Sequence, residues 1–103
     1  MASSKRYLDF VLDQLSPLDG VTYRSMMGEY LLYCRGKLVG GIYDDRLLVK
    51  PTGAARRMMP DAPSELPYEG AKAMLLVEEV DDRTFLCDLI NALADEPSPS
   101  GKR

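Results

Sequence analysis

The chain has 103 residues, of which 46% are hydrophobic, and its 16 acidic side chains outnumber 13 basic ones to give a net charge of −3. That is the length of one ordinary domain, with enough apolar residues for one core. The acidic balance argues against an overall basic footprint for nucleic acid, and the absence of any histidine removes the commonest general base, the commonest zinc ligand and every His-based triad.

No apolar run approaches the length of a bilayer, and the first six residues, Met-Ala-Ser-Ser-Lys-Arg, lack the apolar stretch of a signal peptide. The expected compartment is cytoplasmic, with no membrane partner. Cys34 and Cys87 are distant in sequence and form no CxxC. They read as buried small hydrophobes in a reducing compartment, and not as a zinc site or a disulfide.

Ser3 or Ser4 opens a first helix, in which Leu8, Val11, Leu12 and Leu15 recur at i, i+3, i+4 and i+7 and make one apolar stripe. Tyr7 and Phe10 widen it. Ser16, Pro17 and Gly20 end the helix. Val21 to Arg24 reads as a short strand, after which Met26, Met27 and Gly28 break the pattern. Glu29 to Cys34 is a stronger strand. Arg35-Gly36-Lys37 is a tight turn, Leu38 to Tyr43 the return strand, and Asp44-Asp45 the next turn, since short acidic side chains tolerate left-handed geometry. Arg46 to Lys50 is a further strand, stopped by Pro51.

Thr52 caps a short helix through Met59, which Pro60 closes. Pro60, just before it, and Pro63 and Pro67 within it make residues 61–68 a loop. Met74 to Glu78 is one more strand, and Asp81 or Asp82 caps a last helix, with Leu86, Leu89, Ile90 and Leu93 as its stripe. Residues 1–96 thus read as one domain and residues 97–103, rich in Pro and Ser, as a disordered tail. The fold class is α+β: a two-layer domain with an antiparallel sheet, a meander plus one later strand, and terminal helices packed on one face.

Alternation along the meander puts Tyr30, Leu32 and Cys34 on one face and Leu31 and Tyr33 on the other. Both faces are therefore apolar, and helices can cover only one of them. A homodimer contact or another protein partner is expected on the second. Candidate interaction residues are Tyr30, Tyr33 and Tyr43 in the meander, with the basic residues Lys50, Arg56, Arg57 and Lys72.

No constellation in the chain carries chemistry, so no catalytic, cofactor-binding or metal site is expected, and no cofactor. Asp44-Asp45 reads as a hairpin turn before it reads as a cation site. The run Glu78, Glu79, Asp81, Asp82 reads as a strand end plus a helix cap. Lys50, Arg56, Arg57 and Lys72 lack the interleaved aromatics of a nucleic-acid stripe, so a DNA-associated factor is the less favoured alternative. Met26-Met27 and Met58-Met59 read as core gap-fillers. Gly40-Gly41 inside a strand predicts a bulge or a close backbone approach, with a helix as the candidate neighbour.

Met27-Gly28-Glu29-Tyr30, Tyr33, Gly36-Lys37, Gly41-Ile42, Asp44-Asp45 and Val49-Lys50-Pro51 together resemble the signature of the TfoX N-terminal domain family. Residues 68–77, with Lys72 and Met74, resemble its second block. The resemblance spans nearly the whole chain and departs from the pattern at Met27 and Glu29, where many relatives carry an aromatic and a second glycine. It implies a two-layered α+β fold similar to secretion-chaperone-like domains and no catalysis. It also implies a regulatory role, since these proteins are known as regulators of natural competence.

Overall fold

The computed structural model describes residues 4–95; the expectations for Ser3 and for the tail over residues 97–103 lie outside them. Helix α1 (Lys5–Gln14) leads into strands β1 (Val21–Met26), β2 (Glu29–Cys34), β3 (Lys37–Tyr43) and β4 (Arg46–Val49). Helix α2 (Gly53–Met58), strands β5 (Ser64–Glu65) and β6 (Met74–Leu76) and helix α3 (Arg83–Asp95) follow. The strands form one antiparallel sheet in the order β1-β2-β3-β4-β6-β5.

Each helix starts where its sequence supplies a cap. Ser4 Oγ accepts from the Tyr7 N–H, Thr52 Oγ1 from the Ala55 N–H and Asp82 Oδ1 from the Phe85 N–H, each satisfying an amide the helix leaves orphaned. The helices form one layer. Leu8, Val11 and Leu15 of the first stripe and Leu86, Leu89, Ile90 and Leu93 of the last are buried, together with Ala55 and Met59. Phe10 does not join its stripe and stays 40% exposed. Gln14 is the buried polar residue of α1, and its amide donates to the Val80 carbonyl at 2.9 Å.

Three successive hairpins close on two residues with positive φ: Met27-Gly28 (52° and 87°), Arg35-Gly36 (51° and 81°) and Asp44-Asp45 (54° and 57°). This left-handed pair matches the twist of the flanking strands. The first of them corrects the sequence reading: β1 runs on to Met26, and Met27 is the tip of a hairpin. The expectation that Met26-Met27 fills core gaps is also overturned, since Met27 is 97% exposed and Met26 is exposed as well. Met58 and Met59 do pack into the core. The loop expected over residues 61–68 contains the two-residue strand β5, so the sheet gains two later strands and not one.

The register sets the faces. Leu32, Ile42, Leu47, Val49 and Leu75 look toward the helices and form the core. Tyr33 pairs with Leu38 and Leu32 with Gly40, which leaves Val39 as the extra residue of a bulge. A Cβ on Gly40 would collide with the Leu48 carbonyl oxygen. The close approach predicted at Gly40 thus comes from the neighbouring strand and not from a helix. Cys34 and Cys87 are free and buried. No helix among the described residues is long and apolar enough to cross a membrane.

Candidate interaction surface

The second sheet face carries Tyr33, Leu38, Tyr43, Leu48, Met74 and Leu76, placed there by the pairs Tyr33↔Leu38, Gly41↔Leu48 and Leu48↔Leu76 and by alternation. No helix of the described residues covers it, yet it is not uniformly open. Leu48 is fully buried and Tyr43 is 5% exposed. The ring of Tyr43 folds back over Gly41, where a Cβ would come within 2.7 Å of it. The segment from Pro67 to Met74 stands across from Leu38 and Tyr43 and encloses a groove of about 500 Å³. Tyr68 leans in from that segment, its ring centroid 6.2 Å from that of Tyr43.

Arg46 fastens this wall. Its guanidinium donates to Glu65 Oε1 at 2.5 Å, to the Leu66 carbonyl at 3.2 Å and to the Tyr43 carbonyl at 3.1 Å. One side chain thus ties β3, β5 and the start of the groove wall together. Half-buried charge-assisted bonds of this kind outweigh surface pairs. The pairs Arg35–Asp95 and Arg83–Asp13, by contrast, lie in solvent and add little.

Lys50 and Lys72, from opposite sides of the groove, are its charged lining; no carboxylate lines it among the described residues. Neither lysine forms an ion pair among those residues. The acidic run lines a different cleft, of about 280 Å³, where Glu78, Glu79 and Asp82 meet Asp61 beside Phe85. No group of acidic or cysteine side chains among the described residues is placed to hold a metal ion. Asp44 and Asp45 serve the fold: the Asp44 N–H donates to Glu29 Oε1, and Asp45 Oδ1 accepts from the Ser4 N–H at 2.7 Å, pinning the start of α1 to the hairpin.

The seven interaction residues expected from sequence separate in space. Tyr43, Lys50 and Lys72 meet at the groove, and Tyr33 lies on the same sheet face. Tyr30 lies on the helix-covered face, edge-on to Tyr23 with centroids 5.9 Å apart. Arg56 and Arg57 are exposed on α2, which belongs to the helix layer. Leu38 and Pro67 also line the groove, as does Met74, which the sequence marks through the family resemblance and not as an interaction residue. The local signal for Leu38 is its place opposite Tyr33 across the Arg35-Gly36 turn; alternation along β3 alone would put it on the Ile42 face, and the bulge at Val39 brings it to the face of Tyr43.

Burial raises the Tyr43 hydroxyl above its ordinary pKa, with Tyr68, Glu29 and Tyr33 adding to the effect. The Tyr43 hydroxyl is therefore neutral at physiological pH, a hydrogen-bonding group and not a charge. The groove as a whole offers two cations, two aromatic rings and an apolar floor, with no activated nucleophile.

A family model for the TfoX N-terminal domain matches residues 13–90, a span that holds the whole meander, the groove and most of α3. The chain is 35% identical over 105 aligned residues to an uncharacterized 12.7 kDa protein in the trpE 5′ region of Spirochaeta aurantia, covering 100% of this chain and 91% of that protein. No solved structure matches the chain. With the family signature residues forming the hairpin tips and groove of one continuous sheet, the chain belongs to the TfoX N-terminal domain family.

Proposed function

We propose that this chain is a non-enzymatic regulatory module that acts through protein contact, and that its partner presents an acidic segment with an apolar anchor to the groove on the second sheet face. One observation carries this: the groove combines the rings of Tyr43 and Tyr68 with Lys50 and Lys72, and no carboxylate among the described residues offsets them. Aromatic anchors surrounded by charge are what protein recognition uses. Family membership supports the regulatory part of the reading, with control of DNA uptake as the process it implies. Arg56 and Arg57 lie on the helix layer and do not extend the cationic rim, which favours a protein partner over a nucleic-acid strand.

The test is affinity capture from the native cell extract with the wild-type chain and with Lys50→Glu/Lys72→Glu, followed by identification and a salt series. The expected result is an acidic protein retained by wild type, released by salt and lost from the variant. If both chains retain the same proteins, the groove is not the contact. Binding of single-stranded DNA at low salt, lost in the same variant, would move the function to the nucleic-acid reading.

A further inference from the structure

The two edges of the sheet are built differently. Strand β5 is two residues long and lies between Pro63 and Pro67, a blunted edge of the kind that resists pairing. Strand β1 is six residues long, Val-Thr-Tyr-Arg-Ser-Met, with no proline, no lysine and an unbroken register against β2. No other strand of the described residues pairs with its outer side. Hydrophobic side chains gather beside it. Tyr23 is 43% exposed, and an apolar trough of about 410 Å³ runs between α1 and β1, walled by Leu12, Leu15, Leu18 and Val21.

The hydrogen-bond phase of this edge follows from its hairpin. Met26 and Glu29 flank the two-residue turn and form its closing bonded pair. At the other end the Arg35 N–H donates to the Gly20 carbonyl at 2.8 Å. Bonded pairs therefore fall at Gly20, Thr22, Arg24 and Met26, and the backbone groups of Val21, Tyr23 and Ser25 point outward.

We propose that β1 pairs antiparallel with β1 of a second copy of this chain about a two-fold axis at Tyr23, joining both sheets into one. In this register Val21 faces Ser25 of the other copy and Tyr23 faces Tyr23, so every outward N–H and C=O of the three residues is paired. Arg24, the charged residue of β1, faces Thr22 of the other copy. Sliding the pairing by one step along the edge would oppose Arg24 to Arg24, like charges that destabilise a sheet. Sliding it the other way would bring in Asp19 and Gly20, whose φ of 82° is not a strand conformation. The edge thus selects one self-complementary register, as a symmetric interface requires. The two tyrosines and the two α1 troughs meet across the axis on the helix side. The lysine groove cannot serve this purpose as well, because a symmetric contact there would set cations against cations.

The inference is independent of the proposed partner at the groove. Light scattering on the full chain at high concentration is expected to give twice the 11.5 kDa of one chain. Ser25→Pro removes an outward donor without touching a bond to β2, and is expected to give a folded monomer. Where Ser25→Pro fails to fold, Tyr23→Cys decides. Opposed bonded residues sit about 5.5 Å apart, within disulfide reach, so mild oxidation is expected to yield covalent dimer from Tyr23→Cys and none from Met27→Cys. A wild-type monomer at all concentrations overturns the proposal, as does a dimer in which Tyr23→Cys does not cross-link. The groove variant Lys50→Glu/Lys72→Glu is expected to remain dimeric, which separates the two readings.

Discussion

The aromatic ring of Tyr43 lies over Gly41, two residues back on the same strand, so that a Cβ at Gly41 would come within 2.7 Å of the ring and of the Tyr30 carbonyl oxygen. This contact places Tyr43 at the floor of the groove, and it requires glycine. Gly41→Ala is expected to destabilise the fold by about 1–3 kcal/mol, the usual range for overpacking. In a Tyr43→Ala background the ring clash is gone and the carbonyl clash remains, so the cost of Gly41→Ala should fall without vanishing. Urea unfolding of the four-member cycle measures the coupling. Strictly additive costs would show that the ring can swing clear at no expense.

Met27 occupies a left-handed position at a hairpin tip with its side chain almost wholly in water. A non-glycine residue is held there at a cost of about 1–2 kcal/mol, which asparagine largely escapes. Met27→Asn creates the Asn-Gly pair that this turn geometry favours. It is expected to stabilise the domain by up to about 1 kcal/mol, seen as a higher urea midpoint at unchanged slope. A loss of stability would mean that Met27 makes a contact in solution, for instance with another molecule.

These two positions also show where the sequence is transparent. The helix stripes and caps were legible because apolar residues recur at i, i+3, i+4 and i+7 and each cap is a hydroxyl or carboxylate at the right offset. The turns at Arg35-Gly36 and Asp44-Asp45 were legible because glycine and aspartate tolerate positive φ. The Met27-Gly28 hairpin is not, although Gly28 carries the same signal as Gly36, because β1 is almost wholly exposed and shows no apolar alternation beyond Arg24; its pairing with β2 imposes the conformation. Strand β5 is not legible because Pro63 and Pro67 on either side mark the segment as loop, and its two residues are strand only by pairing with β6. At the groove, alternation marks Tyr33, and Tyr43 stands out only as an aromatic at the end of the meander. That Lys72 and Tyr68 return to face Lys50 and Tyr43 depends on the course of residues 66–73, which no local pattern encodes.

Burial raises the pKa of the thiols of Cys34 and Cys87 and of the hydroxyls of Tyr7 and Tyr43. In each case the folded state holds the proton more tightly than the unfolded chain does. The stability these groups contribute is present below their unfolded values, about 8.5 for a thiol and about 10 for tyrosine, and is lost as pH rises through the folded values. The urea midpoint is therefore expected to fall from about pH 8.5 upward, and Cys34→Ala/Cys87→Ala should flatten the first part of that fall. Both thiols should react with a disulfide reagent only as fast as the chain opens. A midpoint that climbs with alkaline pH would contradict the assignment.

Arg46 is where stability and the proposed function meet. Its guanidinium bonds Glu65, Leu66 and Tyr43, while Lys50 and Lys72, the charges proposed for recognition, take no part in that network. Arg46→Met keeps the aliphatic stem and removes the bonds, leaving Glu65 as a half-buried carboxylate without its cation. Losing charge-assisted bonds of this type costs about 1.5–3 kcal/mol each when buried, and less here because both side chains are about a third exposed. A net loss of about 1–2 kcal/mol is expected. Glu65→Gln should cost less, since the amide oxygen still accepts from Arg46. The functional consequence differs from that of the lysines. With the start of the wall released, Arg46→Met should weaken partner binding without changing its salt dependence, because no charge facing the partner is lost. Lys50→Glu/Lys72→Glu should change both. Equal salt slopes for the lysine variant and the wild type would remove the lysines from recognition and leave the groove with shape alone.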